Sequence, residues 1–466
     1  MPGRQAHTLN LLIYLHWSQQ QSNLACQEHK LLKMEETIEK IVLAIGLKRI
    51  YKVFNVMRNI YKFIDYFLIV TIGYSLVHGW KEDQLKAKNN QMGHLVKILG
   101  RGTANPASHV FLDNFMLRHE AYIDPIDFVI NNDHVTLMGA SKNQVWFSVS
   151  PNYDVYQIGK IPFAFLAQYL KSEKLLIVDH ATLHKMAEKL NSPQGNCILI
   201  NNTARCGSTL ICQLFNRVPN TLVQSEPWAL TYIHRLYNEK QIGWKEHLSL
   251  IESFVKLQFK PTQTKRTERY VIKLPLLCAS LFKPIKDIFG DKIKFLFSVR
   301  HLKPSITSFV KVISTFEPED PEVRGDFWLG SIGLPYEDKY KPIFAKYHSV
   351  RKTLTDTENI ALGSGAVLAG FLANKSSYHY IAIYEEMMSD IQGSVKKMFQ
   401  ALNVPLNMHE CIQALDKHSQ NKLFDTKDSQ IISQEDWMKA DDILTVLDLP
   451  LNTSMSTEEF ISIIKS

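Results

Sequence analysis

Between Cys197 and Trp228 the chain reads "CILINNTARCGSTLICQLFNRVPNTLVQSEPW". A continuous apolar run, "CILI", predicts a buried strand over Cys197–Asn201, and apolar positions at Leu210, Leu214 and Phe215 then recur at helical spacing. Between strand and helix lies a cluster of small and polar residues holding one arginine. Two further apolar strands are predicted, at Tyr270–Pro275 and at Ile293–Val299, the latter closed by Arg300. Tyr378–Ile383 alternates like a strand, and Val395, Met398, Phe399 and Leu402 form a helical stripe.

Upstream the pattern is mixed. Val135–Met138 and Val145–Val149 predict two short strands around a polar turn, and Lys174–Asp179 predicts another. "IPFAFLAQYL" and "ATLHKMAEKL" read as helices, with His184 an ordinary surface position on the second. "ALGSGAVLAGFLA" predicts a tightly packed helix rather than a membrane span. These signals divide the chain into a helical region (1–81), a small α+β lead-in domain (82–191), an α/β core (192–410) and a C-terminal helical tail or lid (411–466). The α/β core is expected to be an open, mostly parallel sheet with flanking helices.

One segment has the look of a membrane span. Residues 63–80, "FIDYFLIVTIGYSLVHGW", follow Lys48, Arg49, Lys52, Arg58 and Lys62. That bias would keep the amino terminus in the cytosol and send the rest across the membrane. A buried helix in a soluble domain reads almost the same way. Both a cytoplasmic protein and a single-pass Golgi protein with a lumenal catalytic domain are therefore expected locations.

Composition adds limits. The 466 residues carry a formal charge of +7, with 45% hydrophobic residues. Without a dense basic stripe, this suits an anionic ligand or surface and does not point to nucleic acid. The six cysteines form no CxxC pair and have no histidines at zinc spacing, so core and loop thiols are expected and no metal site. A basic stretch containing Lys260, Lys265, Arg266 and Arg269 is read as solvated surface, with attraction of a polyanion as the other possibility.

The candidate chemistry lies at the strand-to-helix turn. The first N–H groups of a helix lack intrahelical acceptors and the helix dipole is positive there, so Gly207, Ser208 and Thr209 can cradle an anion that Arg205 helps to neutralise. An ATP-binding P-loop would need G-x-x-x-x-G-K-[ST]. This chain has no glycine at the first position and no lysine before Ser208.

The segment resembles the sulfotransferase family, in motif its Golgi carbohydrate branch, through Arg205, Gly207, Ser208, Thr209, Leu214, Phe215, Asn216, Pro219, Glu226, Pro227 and Trp228. Cys206 stands where the family has serine. Arg300 and Ser308 match its second signature, although Leu302 stands where proline is frequent and Pro304 follows later. "YEEM" (Tyr384–Met387) matches its late Y-E-[DE]-[LM] run. The resemblance spans Asn196 to Pro405 and implies a P-loop-NTPase-like sulfotransferase fold.

It also implies a co-substrate, 3′-phosphoadenosine-5′-phosphosulfate, and an acceptor hydroxyl, for which a carbohydrate is one source. Arg205, Cys206, Gly207, Ser208 and Thr209 would hold the 5′-phosphosulfate. Arg300 and Ser308 would bind the 3′-phosphate, placing Arg205 and Arg300 at opposite ends of one nucleotide. Glu226 would be the general base, with Arg205 offsetting charge at the transferring group. His234 and His247 are alternative bases. A nucleotide-dependent phosphotransferase and an inactive nucleotide-binding or interaction protein of the same fold are the other classes open at this stage.

Overall fold

The structure is a computed structural model that describes residues 92–102, 110–156, 161–263, 267–315, 353–415 and 432–466. One compact unit holds 78–101 and 105–466. The expected helical region 1–81, with its candidate span 63–80, lies outside the described residues.

Five strands make the first sheet: β1 (Gly93–Arg101), β2 (Phe115–Ile123), β3 (Val135–Ala140), β4 (Gln144–Val149) and β5 (Lys174–Asp179). They pair antiparallel in the order β2-β1-β5-β4-β3. β3, β4 and β5 fall where the apolar runs predict strands. β1 and β2 were not predicted, and their exposed positions explain it: Lys97, Arg118, His119 and Glu120 interrupt the alternation.

A second five-stranded sheet follows, built from β6 (Asn196–Asn202), β7 (Thr221–Ser225), β8 (Arg269–Lys273), β9 (Ile293–Val299) and β10 (Tyr380–Ile383). All its pairs are parallel, in the order β10-β9-β6-β8-β7. The chain is thus α/β, with a parallel sheet and flanking helices at its core. In β6, Cys197, Ile198, Leu199 and Ile200 are each no more than 1% exposed. Burial of each contributes about 1.5–3 kcal/mol, which is why a parallel strand reads as an unbroken apolar run. β6 has β8 on one side and β9 on the other, so the chain changes direction across the sheet at β6 and opens a crevice at its carboxyl end.

The small-residue run lies in the helix Asp356–Ala373, opened by a reciprocal cap between Thr355 and Glu358. A Cβ on Gly365 would come within 2.5 Å of Leu447 Cδ1, so glycine lets the helix Gln434–Val446 pack close. Phe460 and Ile464 of the last helix, Thr457–Lys465, are fully buried in the same cluster. The expectation of a single-pass Golgi membrane protein is corrected here: among the described residues no helix is long and apolar enough to cross a membrane.

The two sheets share one apolar cluster, in which Val135 and Trp146 join Leu199 and Phe254. A buried lysine also joins the segment before β8 to the segment before β3. Lys260, 3% exposed, donates its ammonium to the carbonyls of Val129 and Asn132, at 2.5 and 2.6 Å. Burial pushes its pKa down to about 8, against an attraction from Asp133. Between that value and an unfolded value near ~10.4 the unfolded chain holds more protons, so this group adds stability as pH rises through the window and loses it as pH falls back to 8. Urea unfolding of the wild type and of Lys260→Met is expected to show two things. The variant loses about 1–3 kcal/mol at pH 7 from its orphaned carbonyls, and the wild type gains on it between pH 8 and 10.

Candidate active site

Every predicted site residue lies at the carboxyl end of a strand in the parallel sheet or in the segment following it. After β6 the chain turns through Thr203–Gly207 into the helix Ser208–Phe215. Asn202, itself buried, fixes the turn by accepting from the Ala204 N–H and donating to the Leu274 carbonyl. Ala204 and Arg205 have left-handed backbones, with φ of 58° and 48°. Gly207, at φ 79°, is required twice over, because a Cβ there would also meet the Tyr384 ring at 2.8 Å.

The loop is held from the β9 side. The Thr203 N–H donates to the Ser298 carbonyl, Ser298 Oγ to the Cys206 carbonyl and Ser305 Oγ to the Ala204 carbonyl. Cys206 is 1% exposed, so its thiol is buried.

Arg205 turns towards β9, and its Nε donates to Ser308 Oγ at 2.9 Å. Arg300 donates to the Arg205 carbonyl at 3.4 Å, and its guanidinium lies 4.4 Å from the centre of the Tyr384 ring. The two arginines and Ser308 thus gather in one neighbourhood. Burial, and then the positive charge of Arg300, lower the Arg205 pKa. Glu385 closes the group: Oε1 accepts from the His301 N–H at 3.1 Å and lies 4.0 Å from Arg300 Nε. The described partners of Glu385 are thus on the arginine side.

Glu226 follows β7 in a left-handed conformation, φ 55°. Such a backbone costs energy in a non-glycine residue. Its N–H donates to the Lys273 carbonyl, and its carboxylate accepts from Lys273 Nζ. Lys273 also donates to Thr209 Oγ1 at 3.1 Å, bridging Glu226 to the first turn of the helix Ser208–Phe215. Lys273 is not among the site residues that the sequence predicts. The one available signal was a lysine closing an otherwise apolar strand.

Other candidates fall away from this constellation. His234 and His247 are fully buried and stand 5.8 Å apart, ring to ring. Burial lowers their pKa values to about 3 and about 4, with His247 also lowering His234. Neither presents a ring to a substrate. The described cysteines are free and buried, and burial raises Cys197 and Cys212 to about 12, which leaves them unreactive. Arg269 opens β8, at the opposite end of the strand from Lys273, and Lys265 and Arg266 lie outside the described residues.

No protein-family model matches the chain, and no curated protein matches it. Among solved structures it overlaps a sulfotransferase from Mycobacterium avium at 11% identity and TM-score 0.33, over 59% of this chain and 82% of that one. A sulfotransferase from Mycobacterium tuberculosis overlaps at 12% identity and TM-score 0.33, over 58% and 86%. A mouse sulfotransferase complexed with PAP overlaps at 14% identity and TM-score 0.28, over 55% and 74%. Overlaps at this level carry no argument about the activity of this chain.

Proposed function

We propose that the protein transfers a sulfuryl group from 3′-phosphoadenosine-5′-phosphosulfate to an acceptor hydroxyl. The observation that carries this reading is the arrangement of two cationic centres around one strand-to-helix turn. Lys273 with the N–H groups of Gly207, Ser208 and Thr209 forms one; Arg205, Arg300 and Ser308 form the other. Two anionic groups on one small molecule fit this pair, and the donor nucleotide carries a 5′-phosphosulfate and a 3′-phosphate. Planar guanidinium forks suit a phosphate dianion, while a lysine serves as a mobile point charge where negative charge grows.

The transfer follows from the same groups. The acceptor oxygen attacks sulfur and forms the new S–O bond, while its proton passes to the Glu226 carboxylate. The S–O bond to the 5′-phosphate breaks, and its electron pair leaves with the nucleotide. Lys273 stands between Glu226 and Thr209 and can donate to the oxygen that gains this charge. Its contact with Glu226 gives way as the carboxylate takes up the proton. A carbohydrate remains one candidate source of the hydroxyl.

Calorimetry with 3′-phosphoadenosine 5′-phosphate and transfer of labelled sulfate to a hydroxyl panel test the proposal. Arg205→Ala is expected to weaken nucleotide binding and transfer together. Glu226→Gln is expected to bind nucleotide as the wild type does and to lose about 10²-fold or more in turnover. An unchanged rate in Glu226→Gln would remove Glu226 as the base. Absence of nucleotide binding by the wild type would overturn the function.

A further inference from the structure

Two histidines that the proposed reaction does not use meet on the antiparallel sheet. His94 of β1 and His119 of β2 lie 25 residues apart in sequence, and the strand pairing brings them together. His94 Nε2 stands 2.9 Å from His119 Nδ1, with the ring centroids 5.0 Å apart. A bulge makes this possible. Leu95 is opposite Ala121 but Val96 is opposite His119, so Glu120 is left over. Side chains alternate between the faces of a sheet, and an unbroken ladder would send His119 to the face opposite Tyr122. The extra residue returns it to the face of His94 and Tyr122. Glu120 itself turns to an ion pair with Lys174 of β5.

Tyr122 holds the pair. Its ring stacks on His94 with centroids 4.9 Å apart and planes at 25°, and lies 5.0 Å from the His119 ring. Each imidazole therefore has an aromatic neighbour that limits its rotation while the two nitrogens face each other. β2 is the outer strand of its sheet. His119 is exposed and His94 half-buried, so a hydrated ion can reach both nitrogens. Among the described residues no third histidine, cysteine or acidic side chain joins them, so the protein supplies two donors.

We propose that His94 and His119 form a two-nitrogen chelate for a divalent transition-metal ion of tetragonal preference, copper(II) or nickel(II), with water oxygens in the remaining positions. The site is independent of the sulfotransferase reading. Imidazole nitrogen suits these ions, and cis nitrogens at bonds of about 2.0 Å and a right angle stand about 2.8 Å apart. A tetrahedral zinc ion with similar bonds needs them about 3.3 Å apart. The 2.9 Å separation fits the tetragonal ion. In the hydrogen-bonded pair one ring carries the hydrogen between the two nitrogens. Metal binding shifts it to that ring's other nitrogen, so both facing lone pairs go to the metal and no net proton is released. The ion then staples the outer strand β2 to β1 and stabilises the folded chain by mass action.

The test uses the full chain with copper(II) sulfate, below one equivalent, in a non-coordinating buffer, so that copper fills the tightest site. Electron paramagnetic resonance is expected to show a tetragonal centre coupled to two imidazole nitrogens. In calorimetric titration, His94→Phe and His119→Ala are each expected to weaken that site about 10-fold or more, since losing even an outer-shell partner of a metal costs this much. The double variant loses little beyond either single one, because one ion shares both ligands. Tyr122→Phe, which keeps the ring, binds copper as the wild type does, and so does His409→Ala, an exposed histidine on the helix Met408–Leu415. His119 is exposed, so His119→Ala decides alone should His94→Phe fail to fold. Copper affinity unchanged in His119→Ala, additive losses in the double variant, or zinc bound as tightly as copper overturns the site. Loss of copper by Tyr122→Phe puts a phenolate in the donor set and overturns the two-nitrogen assignment.

Discussion

Lys273 is an ammonium group whose side chain is only 3% exposed, at the end of a strand whose other residues pack in the core. Such a charge is tolerable only with an anion and further hydrogen bonds around it. Glu226 supplies the anion and Thr209 a second acceptor. The pair depends on β7 and β8 lying side by side in register, with Ser225 opposite Lys273. It also depends on the left-handed turn at Glu226, which brings the carboxylate back over the strand ends. The strand order, the left-handed backbone and the buried charge meet in this one ion pair.

The arginine side has the opposite character. Arg205 and Arg300 are brought together although they repel, and the lowered pKa of Arg205 records both its burial and that repulsion. Ser308, the Arg205 carbonyl, the Tyr384 ring and Glu385 each offset part of the cost. The structure keeps a concentration of positive charge at the crevice where the sheet changes direction, the position in which open parallel sheets bind ligands. The C-terminal segment supports this arrangement from behind. The Met455 carbonyl lies 3.0 Å from a ring nitrogen of His301, and Phe460 packs against that ring.

What was legible in the sequence was local. The strand Cys197–Asn201, the loop Arg205–Thr209 and the helix after it are contiguous, and a buried parallel strand announces itself as an apolar run. Arg300 and Ser308 were legible for the same reason, since a strand and the helix following it carry both. The partner of Lys273 was not, because Glu226 is 47 residues away in sequence and the contact arises from strand order. Arg205 was expected at the other end of a nucleotide from Arg300; sequence spacing carries no information on where a long side chain swings, and Ser308 offered it an acceptor. β1 and β2 escaped because exposed strands bear charges at positions where alternation needs apolar residues.

The central claim is that one nucleotide with two anionic ends spans the lysine and arginine centres. A crystal structure with 3′-phosphoadenosine 5′-phosphate bound measures this most directly. The account predicts the 5′-phosphate on the N–H groups of Gly207–Thr209 within reach of Lys273, and the 3′-phosphate on Arg300 and Ser308. Nucleotide bound away from the carboxyl ends of β6, β8 and β9, or with either phosphate in solvent, would contradict it.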